Sequence, residues 1–242
     1  MGAPVKPYQD SQEGKKTQVR NMFNGIAENY DALNRVISFG IDISWRKKVV
    51  ALIDATKPKN ILDIATGTGD LAIHLAETNA EKIIGLDLSP GMLDIGKLKV
   101  SQKNLDHKID MIIGDSEALP FETASIDAAT VAFGVRNFEN LQLGLSEILR
   151  VLKPEGTLVV LETSVPDKTP FKQGYALYTK RLLPLIGRLF SKDKSAYSYL
   201  SESAAQFPYG EKFNNILKEI GFTTVVHHPQ TFGVATIYRA VK

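Results

Sequence analysis

The chain has no cysteine among its 242 residues. That excludes disulfides, thiolate metal sites and a cysteine nucleophile. Histidine is scarce: of the four present, none is spaced with a second histidine and a carboxylate as a metal site requires, and His227 and His228 sit on opposite faces of an expected strand. No metal is expected. An excess of one charge sign is also lacking, since the formal net charge is only +2, too small to advertise nucleic acid as a partner. No run approaches the roughly 20 apolar residues needed to span a bilayer, and residues 1–20 carry no apolar signal-peptide core. A cytoplasmic location is the expectation.

What is present is an alternation of strands and helices. Residues 1–20 lack hydrophobic periodicity and are rich in Lys, Gln, Gly and Pro, so they read as a flexible tail. Residues 21–242 read as one domain. It opens with a helical segment over 21–57, where Ile26, Tyr30, Leu33, Val36 and Ile37 share one face. Apolar runs at Ile61 to Ala65, Lys82 to Leu86, Ile109 to Ile113, Ile126 to Ala132 and Thr157 to Leu161 predict strands. Helices are expected from Asp70, from Pro90 with Ser89 as its cap, and over Asn140 to Leu152. The pattern is α/β with a parallel sheet. A last helix closes at Gly221, and Phe222 to His228 with Val234 to Val241 form a closing hairpin that turns near Pro229. Between 165 and 208 the alternation fails, which marks a lid insertion over the carboxyl edge of the sheet.

The most informative stretch is Asp63-Ile64-Ala65-Thr66-Gly67-Thr68-Gly69-Asp70, an apolar run broken by a glycine turn, with Asp87 and Leu88 closing the next strand. Such a turn lets backbone approach a ligand, and the following acid can take a ribose diol. A nucleoside-bearing cofactor is implied. The spacing also fits the dinucleotide fingerprint, but Asp70 would repel a pyrophosphate at the helix N-terminus. The sulfonium and ammonium of S-adenosylmethionine fit an acid-rich turn better. Three acids end successive strands: Asp63, Asp87 and Asp115. Asp63, with the backbone of Gly67 to Gly69, is assigned to the amino-acid end of the cofactor, or acts indirectly by fixing the turn. Asp87 is assigned to the ribose, and Asp115 with Ser116 to the adenine edge. The full cofactor set is Asp63, Thr66, Gly67, Thr68, Gly69, Asp87, Leu88, Asp115 and Ser116.

Five further motifs carry a family resemblance: Tyr30-Asp31-Ala32-Leu33-Asn34 continuing to Ser38 and Trp45; Phe133-Gly134-Val135-Arg136-Asn137; Arg150-Val151-Leu152-Lys153-Pro154; Glu162-Thr163-Ser164; and Tyr197-Ser198-Tyr199-Leu200 leading to Phe207-Pro208. From Val19 to Lys242 the chain resembles the ubiquinone/menaquinone biosynthesis C-methyltransferases, the UbiE/MenG family. The resemblance implies a Rossmann-like class I fold with a mostly parallel seven-stranded sheet, an antiparallel C-terminal strand and a helical lid. It implies methyl transfer from S-adenosylmethionine to a ring carbon of a polyprenyl quinol, here leaning to demethylmenaquinol, with cofactor contacts at Thr68, Asp87, Asp115 and Ser116. The chain departs from the family at Leu33, Ala132, Glu155 and Asp42. The last replaces a histidine near the expected substrate entrance, which puts any role of that histidine in doubt here.

A quinol carbon attacks only when a ring hydroxyl gives up its proton. Asp70 is the candidate acceptor, Arg136 the candidate stabiliser of the oxyanion, and Tyr30 and Asn137 the candidates to orient the ring. A prenylated substrate has to come from a membrane surface. Lys168, Lys172, Lys180, Arg181, Arg188, Lys192 and Lys194, interleaved with Leu182, Leu183, Leu185, Ile186, Leu189 and Phe190, resemble an interfacial helix and imply peripheral association at the inner face of the cytoplasmic membrane. A lid packing the same leucines on the domain is the competing reading. An NAD-dependent reductase and a non-catalytic cofactor-binding subunit are the competing functions, and a homodimer is left open.

Overall fold

The computed structural model describes residues 5–182 and 194–242. Two helices, α1 (Lys15–Ser38) and α2 (Asp42–Asp54), precede a seven-stranded sheet. The strands are β1 (Asn60–Ile64), β2 (Lys82–Asp87), β3 (Ile109–Ile113), β4 (Ile126–Ala132), β5 (Leu152–Thr163), β6 (Thr223–Gln230) and β7 (Ala235–Val241), in the spatial order β3-β2-β1-β4-β5-β7-β6. β1 to β5 pair in parallel, and β7 runs against both its neighbours. The connecting helices are α3 (Asp70–Leu75), α4 (Pro90–Gln102), α5 (Leu141–Val151), α6 (Phe171–Leu177), α7 (Lys194–Gln206) and α8 (Glu211–Ile220). This is the Rossmann-like arrangement expected, antiparallel C-terminal strand included.

Period-two alternation sorts the core into two layers. Ile61 of β1 with Val159 and Leu161 of β5 pack against Trp45, Val49, Leu71 and Leu93 on one face. Leu62, Ile64, Leu158 and Val160 pack against Leu145, Ile148, Phe213 and Leu217 on the other. Buried on both faces, the central strands read as continuous apolar runs. Ser89 caps α4 by accepting from the Met92 N–H at 3.3 Å, with Pro90 in the first turn. Gly221 ends α8 in the left-handed region at φ 117°, where a Cβ would be strained.

Three boundaries differ from expectation. α1 begins at Lys15, inside the expected tail. The Lys15 ammonium donates to the carbonyls of Phe138 at 2.7 Å and Arg136 at 3.1 Å. Buried Gln18 accepts from the Tyr8 N–H at 2.9 Å and donates to the Glu13 carbonyl at 2.8 Å. These polar anchors order the segment together with Val5, Tyr8 and Val19, which pack around Met22 and Ile26. β5 starts at Leu152 rather than Thr157. The final hairpin turns at Thr231–Gly233, not at Pro229; Pro229 stays within β6, an edge strand, where a missing N–H is tolerated.

The insertion supplies α6, a π-helical turn at Tyr178–Leu182, and α7. The Tyr178 hydroxyl donates to the Ile37 carbonyl at 2.7 Å and so ties it to α1. Residues 183–193, with Leu183, Leu185, Ile186, Arg188, Leu189, Phe190 and Lys192 of the expected interfacial face, lie outside the described residues. Among the described residues no helix is long and apolar enough to cross a membrane.

Candidate functional site

Parallel strands end at a common edge, and two cavities meet there. The first is polar. Gly67, Asp87, Leu88, Asp115 and Ser116 line it, together with Lys16, Phe23 and Tyr30 of α1 and Asn137. Gly67 has φ 58°, and a Cβ added there would meet nothing nearer than Tyr30 Cε1 at 4.0 Å. The turn therefore leaves room for a ligand to lie on its backbone. Asp87 Oδ2 accepts from the Gly67 N–H at 2.8 Å and its Oδ1 from the Ser89 N–H at 2.8 Å. Enclosure pushes the Asp87 carboxyl up, against these backbone donors. At the far end Lys16 pairs with Asp115 at 2.7 Å. The residues present fit a nucleoside bearing a cationic amino-acid tail: a backbone turn with room above it, one acid for a diol and a second acid further out.

The other cofactor candidates stand behind this wall. Asp63 is buried, with Oδ2 accepting from the Thr66 hydroxyl at 2.6 Å and Oδ1 from the Thr130 hydroxyl at 2.7 Å. It fixes the turn from within, the indirect role allowed by the sequence. Burial raises its carboxyl to about 6. Thr68 is buried and donates to Asp31 at 2.5 Å. Gly69, at φ 77°, opens α3.

The second cavity is apolar and encloses ≈ 480 Å³. Ile37, Phe39, Ile41, Trp45, Phe171 and Phe232 contribute to its wall, with Tyr175 and Tyr178 from the insertion. The insertion thus does cover the site. Tyr30 and Phe133 belong to both cavities and form their common partition. Arg136 reaches the apolar cavity from the turn after β4; its side chain is 8% exposed, and Nη1 donates to Glu162 at 2.5 Å. Burial works against its charge, but the Glu162 carboxylate outweighs that and keeps the guanidinium protonated. Glu162, on β5, is fully buried and also accepts from the Thr163 N–H at 2.7 Å. The pair keeps one donor and one acceptor in hand: Arg136 Nε and Glu162 Oε2 are buried without partners. Asn137 sits on the polar side and receives the Tyr199 hydroxyl at 3.1 Å.

Asp70 is brought to neither cavity. Its carboxylate takes Lys99 at 2.5 Å and Arg35 at 3.1 Å. Burial opposes its ionisation, but these cations hold it below the usual carboxylate range. Arg35 continues to Asp42 at 2.5 Å, and Arg46 pairs with the same Asp42 oxygen. Sequence reasoning quoted Glu162 and Phe133 without giving either a role and missed Lys16 and Arg46. A carboxylate closing an otherwise apolar strand was the signal for Glu162, since a buried charge needs a partner.

The sequence profile of the ubiE/COQ5 methyltransferase family matches residues 10–242. The demethylmenaquinone methyltransferase of Bacteroides fragilis is 47% identical over 240 residues, covering 98% of this chain and 97% of its own. The ubiquinone/menaquinone biosynthesis C-methyltransferase UbiE of Geobacter sulfurreducens is 43% identical over 98% of this chain and 93% of its own. In fold the chain is similar to a SAM-dependent methyltransferase of Thermotoga maritima, with TM-score 0.66 at 18% identity over 92% of this chain and 99% of that one. On the profile match and these identities, the chain belongs to the ubiE/COQ5 methyltransferase family.

Proposed function

We propose that the protein is an S-adenosylmethionine-dependent C-methyltransferase that methylates a ring carbon of a polyprenyl quinol, converting demethylmenaquinol to menaquinol. One observation carries this reading: an acid-lined cavity and an apolar cavity of ≈ 480 Å³ share Tyr30 and Phe133 as a partition. A donor in the first and a ring in the second would meet across those two side chains, and holding them in line is most of what such a transfer requires. The relatives named above as demethylmenaquinone and ubiquinone/menaquinone methyltransferases supply the acceptor class.

S-adenosylmethionine, when bound, supplies a methyl group already activated on a sulfonium. The chain's residues prepare the acceptor. A ring hydroxyl in the cavity finds a donor in the Arg136 guanidinium, and Glu162, buried behind it with Oε2 unpartnered, is the acceptor reached through one water. Proton loss to Glu162 pushes electron density to the adjacent ring carbon while Arg136 stabilises the oxyanion; once that carbon has taken the methyl group, its own hydrogen leaves as a proton, the ring oxygen is reprotonated and the aromatic diol is restored. Glu162 thereby takes the base role first expected of Asp70. Asp87 would hold the ribose and Asp115 with Ser116 the adenine edge.

A pocket of this size suits a ring and a short stretch of tail. The remaining tail leaves past Phe39, Phe171 and Phe232, all exposed at the rim. The substrate is therefore drawn from a bilayer, with the protein attached peripherally at the cytoplasmic face. Lys168, Lys172 and Arg181, exposed in the same insertion, favour anionic headgroups.

The test is transfer of labelled methyl from S-adenosylmethionine to chemically reduced demethylmenaquinol and, in parallel, to the matching benzoquinol, read by product mass. One added methyl on the naphthoquinol is the expected result. Cofactor binding without product on either ring would overturn the reading.

A further inference from the structure

Two arginines line the apolar cavity, and each has a carboxylate partner. Arg136 pairs with Glu162; Arg46, from α2, pairs with Asp42. The two pairs enter from different parts of the chain, yet both arginines line the same cavity as Tyr30 and Phe133 of the partition. Arg46 is held firmly. It is 6% exposed, its Cζ lies 5.5 Å from the Phe133 ring centroid, and Asp42 is itself fixed by Arg35 at 2.5 Å and the Ser38 hydroxyl at 2.7 Å.

Its Nε–H is nevertheless buried with no acceptor, as is that of Arg136. A buried donor without a partner carries the full cost of its lost hydration. Both guanidiniums belong to the wall of one apolar cavity, and two donor groups there match a ligand with two oxygens. A ring diol has them at opposite ends, and only the hydroxyl next to the methyl-accepting carbon takes part in the proton loss described above. The other oxygen needs a partner as well.

We propose that Arg46, braced by Asp42, donates an N–H of its guanidinium to the ring oxygen remote from Arg136, so that the cavity grips the diol at both ends and sets which ring carbon faces the partition. The assignment rests on the reading of the acceptor as a ring diol. It gives Asp42 a function of its own: the carboxylate at this position holds a guanidinium that the substrate uses.

The experiment compares two acceptors, the diol and a monohydroxy analogue that keeps the hydroxyl beside the accepting carbon and lacks the remote one, on the wild-type protein, Arg46→Lys and Arg46→Met. The wild type is expected to prefer the diol by about 10- to 100-fold in kcat/KM. In Arg46→Met that preference collapses to within about threefold, because the analogue loses nothing that the variant still offers. Arg46→Lys keeps the charge without the fixed fork and falls between. Calorimetric binding of S-adenosylmethionine to each variant shows that the fold is intact, and the wild-type comparison needs no variant at all. Equal efficiency on both acceptors by the wild type, or an undiminished preference in a folded Arg46→Met, overturns the assignment while leaving the quinol reading in place. No methylation of either acceptor by the wild type overturns both.

Discussion

The Gly67 backbone N–H donates to the Asp87 carboxylate at 2.8 Å across 20 positions of sequence, so the glycine turn and the acid ending β2 are one unit. The acid that would hold the ribose also holds the turn on which the cofactor would lie.

Asp87→Ala therefore does two things. It removes the ribose acceptor and leaves the N–H groups of Gly67 and Ser89 unsatisfied, at about 1–3 kcal/mol each where water cannot reach them. S-adenosylmethionine affinity is expected to fall at least ~100-fold with a lowered melting temperature. Asp87→Asn should recover most of the melting temperature and only part of the affinity. Unchanged calorimetric affinity in Asp87→Ala would remove the assignment.

Arg136→Met strands a fully buried Glu162 carboxylate, which costs about 3–5 kcal/mol. Pairing it with Glu162→Leu should restore most of that stability in denaturant titrations. Turnover should not return: each single variant and the pair lose at least ~100-fold in kcat. A cofactor-binding Arg136→Met with wild-type kcat would sink the catalytic role.

Asp63 sets a pH dependence of stability. Burial lifts its folded value to about 6, above that of the unfolded chain, so the folded state binds the proton more tightly. Its contribution to stability is then largest at acid pH and declines as pH rises through about 6, by about 1.4 kcal/mol for each pH unit between the ordinary carboxylate value and that point. Asp63→Asn cannot take up the proton. Wild type should gain on this variant as pH falls from 7 to 5, measured as the difference in melting temperature; a constant difference would count against it.

Phe39 and Phe232 are 74% and 68% exposed, and Phe232 stacks on Phe171 at 3.8 Å between ring centroids. Both residues hold left-handed backbone, φ 52° and 59°, at tight turns on the cavity rim. Inserting a phenyl group into an acyl boundary is worth roughly 1.5–3 kcal/mol. Phe39→Asp with Phe232→Asp should lower co-sedimentation with lipid vesicles ~100-fold or more. Anionic vesicles should retain the wild type better than neutral ones. Binding unaffected by the substitutions would place the membrane contact elsewhere.

Elements whose signal is local were legible. The strand, glycine turn and acid at Gly67 and Asp87 are encoded within a few residues each, as are the Ser89-Pro90 cap and the Gly221 stop, and the structure has all of them. Asp63 was ambiguous for a physical reason. Its direction depends on which residue of a distant strand lies beside it, and the partner is Thr130 in the β1–β4 register. The start of α1 escaped because Lys15 and Gln18 are buried by hydrogen bonds to backbone, which leave no trace in hydrophobic periodicity. Asp70 was misjudged because Lys99 and Arg35, 29 and 35 positions away, neutralise it only in the fold. Arg46 sits in an ordinary amphipathic helix, and nothing nearby in sequence shows that its side chain faces a cavity rather than solvent.

α1 runs for 24 residues, about 36 Å, and contributes Lys16 and Phe23 to the polar cavity, Ile37 and Ser38 to the apolar one, and Tyr30 to both. One rigid beam thus roofs two chambers. It is pinned at one end by Lys15 on the carbonyls of Arg136 and Phe138 and near the other by Tyr178 on Ile37. Lifting the beam to exchange one occupant loosens the enclosure of the other. The lifetimes of the two ligands are thereby tied, and departure of the products becomes the step most sensitive to anything that unpins α1.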